Sequence, residues 1–412
     1  MLLNKDFKYI DLFAGIGGFH SAMQKYSDKA TCIMASEINK EAAKVYFDNY
    51  KLEPLGDIKN VKGDNLDDFE VLCAGFPCQA FSKAGSQNGF GDPRGTLFYE
   101  IIRILKDKPH NHRPKILILE NVKNLITHDS GRTWKTIKHS IIECGYNIVD
   151  KPIVIGPKDL GIPQIRDRAI ILAVRKDIYS EPIDIKFIQK KTNSTSIYTI
   201  VNNKISKREK EKYSLDNNQI EVLDCWDDFY KGITEKVLGF PVWSDEFGET
   251  YNISKFPKWK QEIIEKNRIL YKNNQNFIDA WLEKWNIRNK FTKTNRKFEW
   301  QAGSDIHSVF EGIIQFRPSG VRVKRPTESP TLVAMNHRPI IGKYKRYITL
   351  KEATKLQCFP ENFIFNESEN HAYKQLGNAV NVDVIEYAFA SFITYLEKRI
   401  ENNYAKKDCC KY

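Results

Sequence analysis

Lys8-Tyr9-Ile10-Asp11-Leu12-Phe13-Ala14-Gly15-Ile16-Gly17-Gly18-Phe19 is the stretch that decides the fold. Lys8–Phe13 reads as an apolar β-strand. The glycines after it let the chain turn sharply into a helix while a ligand approaches the backbone. Working outward, similar short apolar runs recur at Thr31–Ser36, Val71–Ala74, Lys115–Glu120 and Arg168–Val174. Helix-like stretches lie between them, among them Thr96–Lys106 and Trp134–Cys144. This alternation predicts an α/β fold built on a parallel sheet with crossover helices.

The rhythm stops near Ile183 and motif-like sequence returns only after Phe316, ahead of a last helix-like segment at Val384–Lys398. Between Lys255 and Lys297 nine Lys and three Arg face three Glu and one Asp, interleaved with Phe256, Trp259, Tyr271, Phe277, Trp281, Trp285 and Phe291. Basic residues mixed with aromatics suit phosphate contact and base stacking. The competing reading is a helical stretch whose aromatics are core and whose lysines are solvated. Buried tryptophan is common enough to favour that reading for the aromatics.

The chain's 412 residues suggest two or three domains. Its net charge of +12 favours a polyanionic partner, nucleic acid before an anionic membrane. No stretch approaches the ~20 apolar residues of a membrane span, and Met1–Lys8 lacks the apolar core of a secretory signal, so a cytoplasmic protein is expected. None of the eight cysteines forms a C-x-x-C pair. Free thiols are therefore expected. His110 and His112 have no third ligand nearby in sequence and read as solvated loop residues, so no metal is expected.

Several residues carry chemistry. The spacing around Gly15, Gly17 and Gly18 is not G-x-G-x-x-G, because His20 stands where the third glycine would be. That disfavours a nicotinamide cofactor. Glu37 follows the second strand and is placed to accept hydrogen bonds from a ribose. Asp57 could bind an adenine amine, or serve only as a turn aspartate. Gly75-Phe76-Pro77-Cys78-Gln79 leaves a buried strand at the carboxyl edge of the sheet, where ligands bind. A free thiol needs help to ionise at neutral pH, and Arg166 and Arg168 could supply it or form a surface ion-pair cluster. Glu120, within Glu120-Asn121-Val122, reads equally as a helix cap or an acid/base group.

Taken in chain order, these segments resemble the cytosine carbon-5 DNA methyltransferase family. Asp11–Phe19 resembles its cofactor loop, Gly75–Ser82 its nucleophile loop, and Glu120-Asn121-Val122 its cytosine-binding tripeptide. Gln164-Ile165-Arg166-Asp167-Arg168 resembles its Gln-x-Arg-x-Arg signature. Arg317-Pro318-Ser319-Gly320 with Pro330-Thr331-Leu332 resembles the segment that supports its recognition region, and Gln357-Cys358-Phe359-Pro360 and Gly377-Asn378-Ala379-Val380 resemble its closing motifs.

The resemblance implies a Rossmann-like S-adenosylmethionine-dependent catalytic domain at residues 1–182. It implies a smaller mixed target-recognition domain at 183–345, and a C-terminal segment at 346–412 returning to the first domain. Cys78 would attack carbon 6 of a flipped-out cytosine, Glu120 would act at ring nitrogen 3, Arg168 would hold the carbonyl oxygen and Arg166 would assist. S-adenosylmethionine would contact Phe13, Gly15, Ile16, Gly17, Gly18, Glu37, Asp57, Leu97 and Asn378. Pro77, Gln79, Ser82 and Asn121 would touch the substrate. Lys83–Arg94 would close over the base. Ile38 departs from the aromatic that many relatives carry there.

The same resemblance implies a monomer acting on double-stranded DNA without a metal or membrane. It would guard host DNA alongside a restriction endonuclease with which it forms no stable complex. The alternatives are a tRNA cytosine-5 methyltransferase of the same fold, whose Cys-Phe-Thr tripeptide is missing here, or a catalytically silent DNA-binding relative, which should have lost Cys78, Glu120 or the glycine loop. The Phe-Pro-Cys-Gln loop disfavours methylation of an exocyclic amine, which uses a Pro-Pro-aromatic loop.

Overall fold

The computed structural model describes residues 2–77, 97–184, 186, 195–201, 204–235, 238–332, 338–365 and 368–409, the last six without side chains. The chain divides into two compact units. One comprises residues 1–162, 166–194 and 354–412, and the other 163–165 and 195–353.

In the first unit the opening strands and helices are β1 (Lys8–Leu12), α1 (Gly18–Tyr26), β2 (Thr31–Ser36), α2 (Lys40–Tyr50), β3 (Val71–Ala74), α3 (Phe98–Asp107) and β4 (Ile116–Val122). They are followed by α4 (Arg132–Glu143), β5 (Tyr146–Ile148), β6 (Ile153–Ile155) and β7 (Arg168–Arg175). The strands form one sheet in the order β2-β1-β3-β4-β7-β5, with β6 also on β7. β1 to β4 pair in parallel, as the alternating pattern predicts. β7 pairs antiparallel with β4, β5 and β6, so it alone runs against the other strands, a departure from the parallel sheet expected of the alternation. The reason is connectivity: β7 follows β6 through residues 156–167, which hold only the short turn Pro157–Leu160 and no crossover helix, so it folds back on β6 as an antiparallel neighbour.

The parallel strands are buried on both faces, which is why Val71–Ala74 and Ile116–Leu119 are continuous apolar runs without alternation. Register then fixes the functional edge. Ser36 pairs with Leu12, Leu12 with Ala74, and Ala74 with Leu119. The next residues on the four strands are Glu37, Phe13, Gly75 and Glu120, so all four emerge at one carboxyl edge. The order β2-β1-β3 reverses direction at β1, the switch point where open α/β sheets bind ligands.

The second unit holds α5 (Lys207–Tyr213), α6 (Asn217–Gly232), β8 (Val242–Trp243), α7 (Lys258–Asn273), α8 (Gln275–Trp285), α9 (Ile287–Lys290), β9 (Lys297–Gln301), β10 (Ile313–Arg317), β11 (Gly320–Lys324), β12 (Ile340–Ile341) and β13 (Arg346–Tyr347). Its strands form a mostly antiparallel sheet, β13-β12-β10-β11-β9-β8. Trp226 of α6 stacks on Phe298 of β9 with centroids 4.8 Å apart, and Tyr230 stacks on Trp300 at 3.6 Å.

Most aromatics of the basic stretch belong to this core. Trp281 and Phe291 are buried, and Tyr271, Phe277 and Trp285 pack against it. The exceptions are Trp259, 61% exposed, and partly buried Phe256. Part of the positive charge is also neutralised, by Lys284–Asp228, Lys290–Glu221, Arg288–Glu249 and Arg296–Asp245.

The chain returns through α10 (Leu350–Leu356), α11 (Glu369–Asn378) and α12 (Val382–Cys409). Residues 369–403 are long and apolar enough to cross a membrane, but 61% of their most apolar window is buried. Phe389, Phe392 and Leu396 are core, and α12 packs on α1, with Lys25 and Asp383 2.6 Å apart between them.

Arg346 and Glu352 form a two-pronged buried ion pair, with Nη1–Oε2 at 2.9 Å and Nη2–Oε1 at 2.8 Å. Glu352 also accepts the Thr349 backbone N–H. Removing one member strands a buried charge. Arg346→Ala is expected to cost about 3–5 kcal/mol in denaturant unfolding, and Arg346→Met with Glu352→Leu to recover most of it.

Candidate active site

The glycine turn is shaped by three positive backbone angles in five residues: Phe13 at +57°, Gly15 at +56° and Gly17 at +87°. Ala14 N–H donates to the Ser36 carbonyl at 2.9 Å, and Gly17 N–H to the Ala14 carbonyl at 2.8 Å. Gly15 N–H donates to Glu37 Oε2 at 2.8 Å, while Glu37 Oε1 accepts from Asn39 N–H at 2.7 Å. The carboxylate thus ties the ends of β1 and β2 together and stays at the mouth of the turn. A Cβ at Gly15 would meet nothing within 4 Å, so open space lies beside that backbone. A Cβ at Gly17 would overlap the Tyr50 ring, and one at Gly18 would sit 2.6 Å from Val380 Cγ2.

Ile38 is 69% exposed beside Glu37, an apolar surface facing solvent at the same mouth. Asp57 accepts the Lys59 backbone N–H at 3.0 Å, the geometry of a turn aspartate. Leu97 is partly buried at the start of α3, and Asn378 is exposed at the end of α11.

At the opposite side of the switch point, Phe76 is buried and Pro77 partly so. Cys78, Gln79, Ser82 and Lys83–Arg94 lie outside the described residues. The root of that loop is fixed from β4. Asn121 is 1% exposed, and its amide donates to the Phe76 carbonyl at 3.1 Å while its oxygen accepts the Val122 N–H at 2.8 Å. Asn121, expected to touch substrate, therefore uses its amide N–H on the loop, two residues ahead of Cys78, and its oxygen on its own strand.

Val122 pairs with Arg168 across β4 and β7. Glu120 and Arg168 share a face, and Arg168 Nε lies 2.8 Å from Glu120 Oε1. Arg168 also donates to the Asp167 carbonyl at 3.0 Å. Such a charge-assisted bond orients the carboxylate.

Arg166, expected to assist at the cytosine, is placed differently. It is 3% exposed, and its guanidinium donates to the Gly377 carbonyl at 3.1 Å and to the Ala379 carbonyl at 2.6 Å. The reason is that β7 begins at Arg168: Arg166 precedes the strand and is free of its register, and only Arg168 pairs with β4. Arg166 thereby fixes 377–379. The following Val380 covers Gly18 and lies 3.8 Å from where a Gly75 Cβ would stand.

Sequence reading missed the group beneath the turn. Tyr50 donates to the Gly17 carbonyl at 2.8 Å, and His20 Nδ1 lies 2.6 Å from the Tyr46 hydroxyl. Burial pushes His20 down to about 3, so it is neutral at working pH. Only the mismatch of His20 with a glycine fingerprint hinted at this group.

A family model described as C-5 cytosine-specific DNA methylase matches residues 7–394. The chain belongs to that family. It is therefore a DNA cytosine-5 methyltransferase on an α/β methyltransferase fold. Among this methylase's relatives, Type II methyltransferase M.HpaII of Haemophilus parainfluenzae is 41% identical, covering 93% of this chain and 88% of that protein. Type II methyltransferase M.AluI of Cellulosimicrobium cellulans is 31% identical, covering 93% and 91%. The solved Entamoeba histolytica methyltransferase EhMeth superposes with a TM-score of 0.56 at 20% identity, over 95% of this chain and 99% of that one, which supports the fold.

Gly17→Ala tests the turn directly, because it needs both a left-handed backbone and the space of the Tyr50 ring. S-adenosylmethionine affinity, read by calorimetry, is expected to fall on the order of a hundredfold or more.

Proposed function

We propose that this methyltransferase uses S-adenosylmethionine to methylate carbon 5 of a flipped-out cytosine in a short duplex sequence. On this reading it shields host DNA from a partner restriction endonuclease, working as a cytoplasmic monomer without a stable complex. The observation that carries the reading is the single carboxyl edge where the glycine turn, Glu37, the root of the Phe76-Pro77-Cys78 loop and the Glu120–Arg168 pair emerge together. The M.HpaII and M.AluI names point to restriction-modification.

The turn fits the cofactor chemically. Gly15 leaves open room beside its backbone, Glu37 presents a carboxylate suited to ribose hydroxyls, and exposed Ile38 offers an apolar face for adenine. Phe13, Ile16, Gly17, Gly18, Asp57, Leu97 and Asn378 complete the proposed cofactor contacts. When bound, the group supplies an electrophilic methyl on a sulfonium.

The remaining chemistry belongs to the chain. The Cys78 thiolate adds to carbon 6 of cytosine, which makes carbon 5 electron-rich. Glu120 holds a proton at ring nitrogen 3, where negative charge would otherwise collect. Arg168 orients Glu120 and is available to the neighbouring carbonyl oxygen. Loss of the carbon-5 proton then expels the Cys78 sulfur and restores the ring. Gln79, Ser82 and Pro77 border the extruded base, and Lys83–Arg94 closes over it. Asn121 and Arg166 act by holding the loop root and the 377–380 segment.

We assign residues 1–182 and 346–412 to catalysis and 183–345 to target recognition. A tRNA substrate or a silent relative remain as alternatives that the same experiment excludes.

That experiment is bisulfite sequencing of a plasmid carried in cells expressing the protein. Protection of cytosines at one short motif is expected, and Cys78→Ser is expected to abolish it while leaving specific DNA binding largely intact. Unprotected plasmid with folded, cofactor-binding protein would overturn the DNA substrate. Glu120→Gln is expected to lower kcat roughly a hundredfold or more, the range for removing a positioned acid.

A further inference from the structure

The cofactor turn has an internal brace that no motif announces. Tyr50 is the last residue of α2, far from the glycines in sequence. Its hydroxyl lies 2.6 Å from Ser21 Oγ and donates to the Gly17 carbonyl at 2.8 Å. One proton per hydroxyl sets the direction of the chain: Ser21 donates to Tyr50, and Tyr50 donates to Gly17. The Gly17 carbonyl also accepts the Ser21 backbone N–H at 2.9 Å, so both its lone pairs are used.

The ring is held as firmly as the hydroxyl. His20 stacks on it with centroids 3.9 Å apart and planes 20° from parallel. Tyr46 lies 4.9 Å away, and Tyr50 packs on the small cluster of Ala14, Ala35 and Tyr46. Ala14 is itself within the turn. Burial raises the Tyr50 pKa, so the hydroxyl stays protonated and remains a donor through the working range.

We propose that Tyr50 is a positioning residue for the cofactor turn, its hydroxyl holding the Gly17 carbonyl so that the 13–17 backbone is preset to receive S-adenosylmethionine. The inference rests on the assignment of that turn to the cofactor. The physical effect is preorganisation. A turn with three left-handed residues in five has alternative shapes in the free protein, and any left unpinned must be ordered when the ligand binds. Tyr50 fills the space that a side chain on residue 17 would need. It therefore enforces glycine at 17 and uses the freedom that glycine brings.

Tyr50→Phe keeps the ring, its stack on His20 and its packing, and removes only the hydroxyl. Calorimetric titration of the DNA-free protein with S-adenosylmethionine is expected to show Kd raised roughly five- to tenfold, the loss of one hydrogen bond's net contribution. Affinity for duplex DNA without cofactor should stay within about twofold of wild type, and in turnover the change should fall on the cofactor KM rather than on kcat. Ser21→Ala leaves the Tyr50–Gly17 bond in place and should raise Kd no more than about threefold.

An unchanged cofactor Kd in Tyr50→Phe overturns the proposal. So does a parallel loss of cofactor and DNA affinity, which marks a purely structural role. Wild-type protein that takes up no S-adenosylmethionine overturns the cofactor reading itself, and this inference with it.

Discussion

The register of four parallel strands is the constraint on which the rest depends. Ser36, Leu12, Ala74 and Leu119 lie in one row across the sheet, so their successors leave it at one edge. Sliding β3 by one residue would turn Gly75 and the whole Phe76-Pro77 loop away from the glycine turn. The row is held by continuous burial of Val71–Ala74 and Ile116–Leu119, which makes a slip costly on both faces at once.

Around that edge the structure spends its polar groups on positioning. Glu37 pins Gly15, Asn121 pins Phe76, Arg168 orients Glu120, and Arg166 pins Gly377 and Ala379. Each is a side-chain bond to backbone or carboxylate, short and directional. Phe76, held in this way, fixes the chain two residues before Cys78. The C-terminal segment joins the same arrangement through Val380, which closes on Gly18 from the far end of the chain.

The second unit follows different rules. Its sheet is small and mixed, and its core sets a group of stacked aromatics among aliphatic side chains, with Trp226 between Phe229, Trp281 and Phe298. Its positive charge is partly spent on neighbouring carboxylates, so the raw count of basic residues in 255–297 overstates what it could offer a phosphate backbone. The aromatics there were read as core on grounds of burial, and all but exposed Trp259 and partly buried Phe256 pack on the hydrophobic cluster.

By itself the sequence determined the opening strand–turn–helix, the boundaries of Thr31–Ser36 and Val71–Ala74, and the family to which the ordered motifs belong. These are local signals: apolar runs bounded by glycine and proline state their conformation within a few residues. The reversal of β7, the pairing of Glu120 with Arg168, the divergence of Arg166 from Arg168 and the Tyr50–Gly17 brace were decided only by tertiary structure. Each depends on which segments are brought side by side after the chain has crossed the sheet. Gly17 and Tyr50 are joined by one hydroxyl, and Arg166 reaches carbonyls that are 211 and 213 residues away. No periodicity records such a contact, because its energy comes from distance and direction in space.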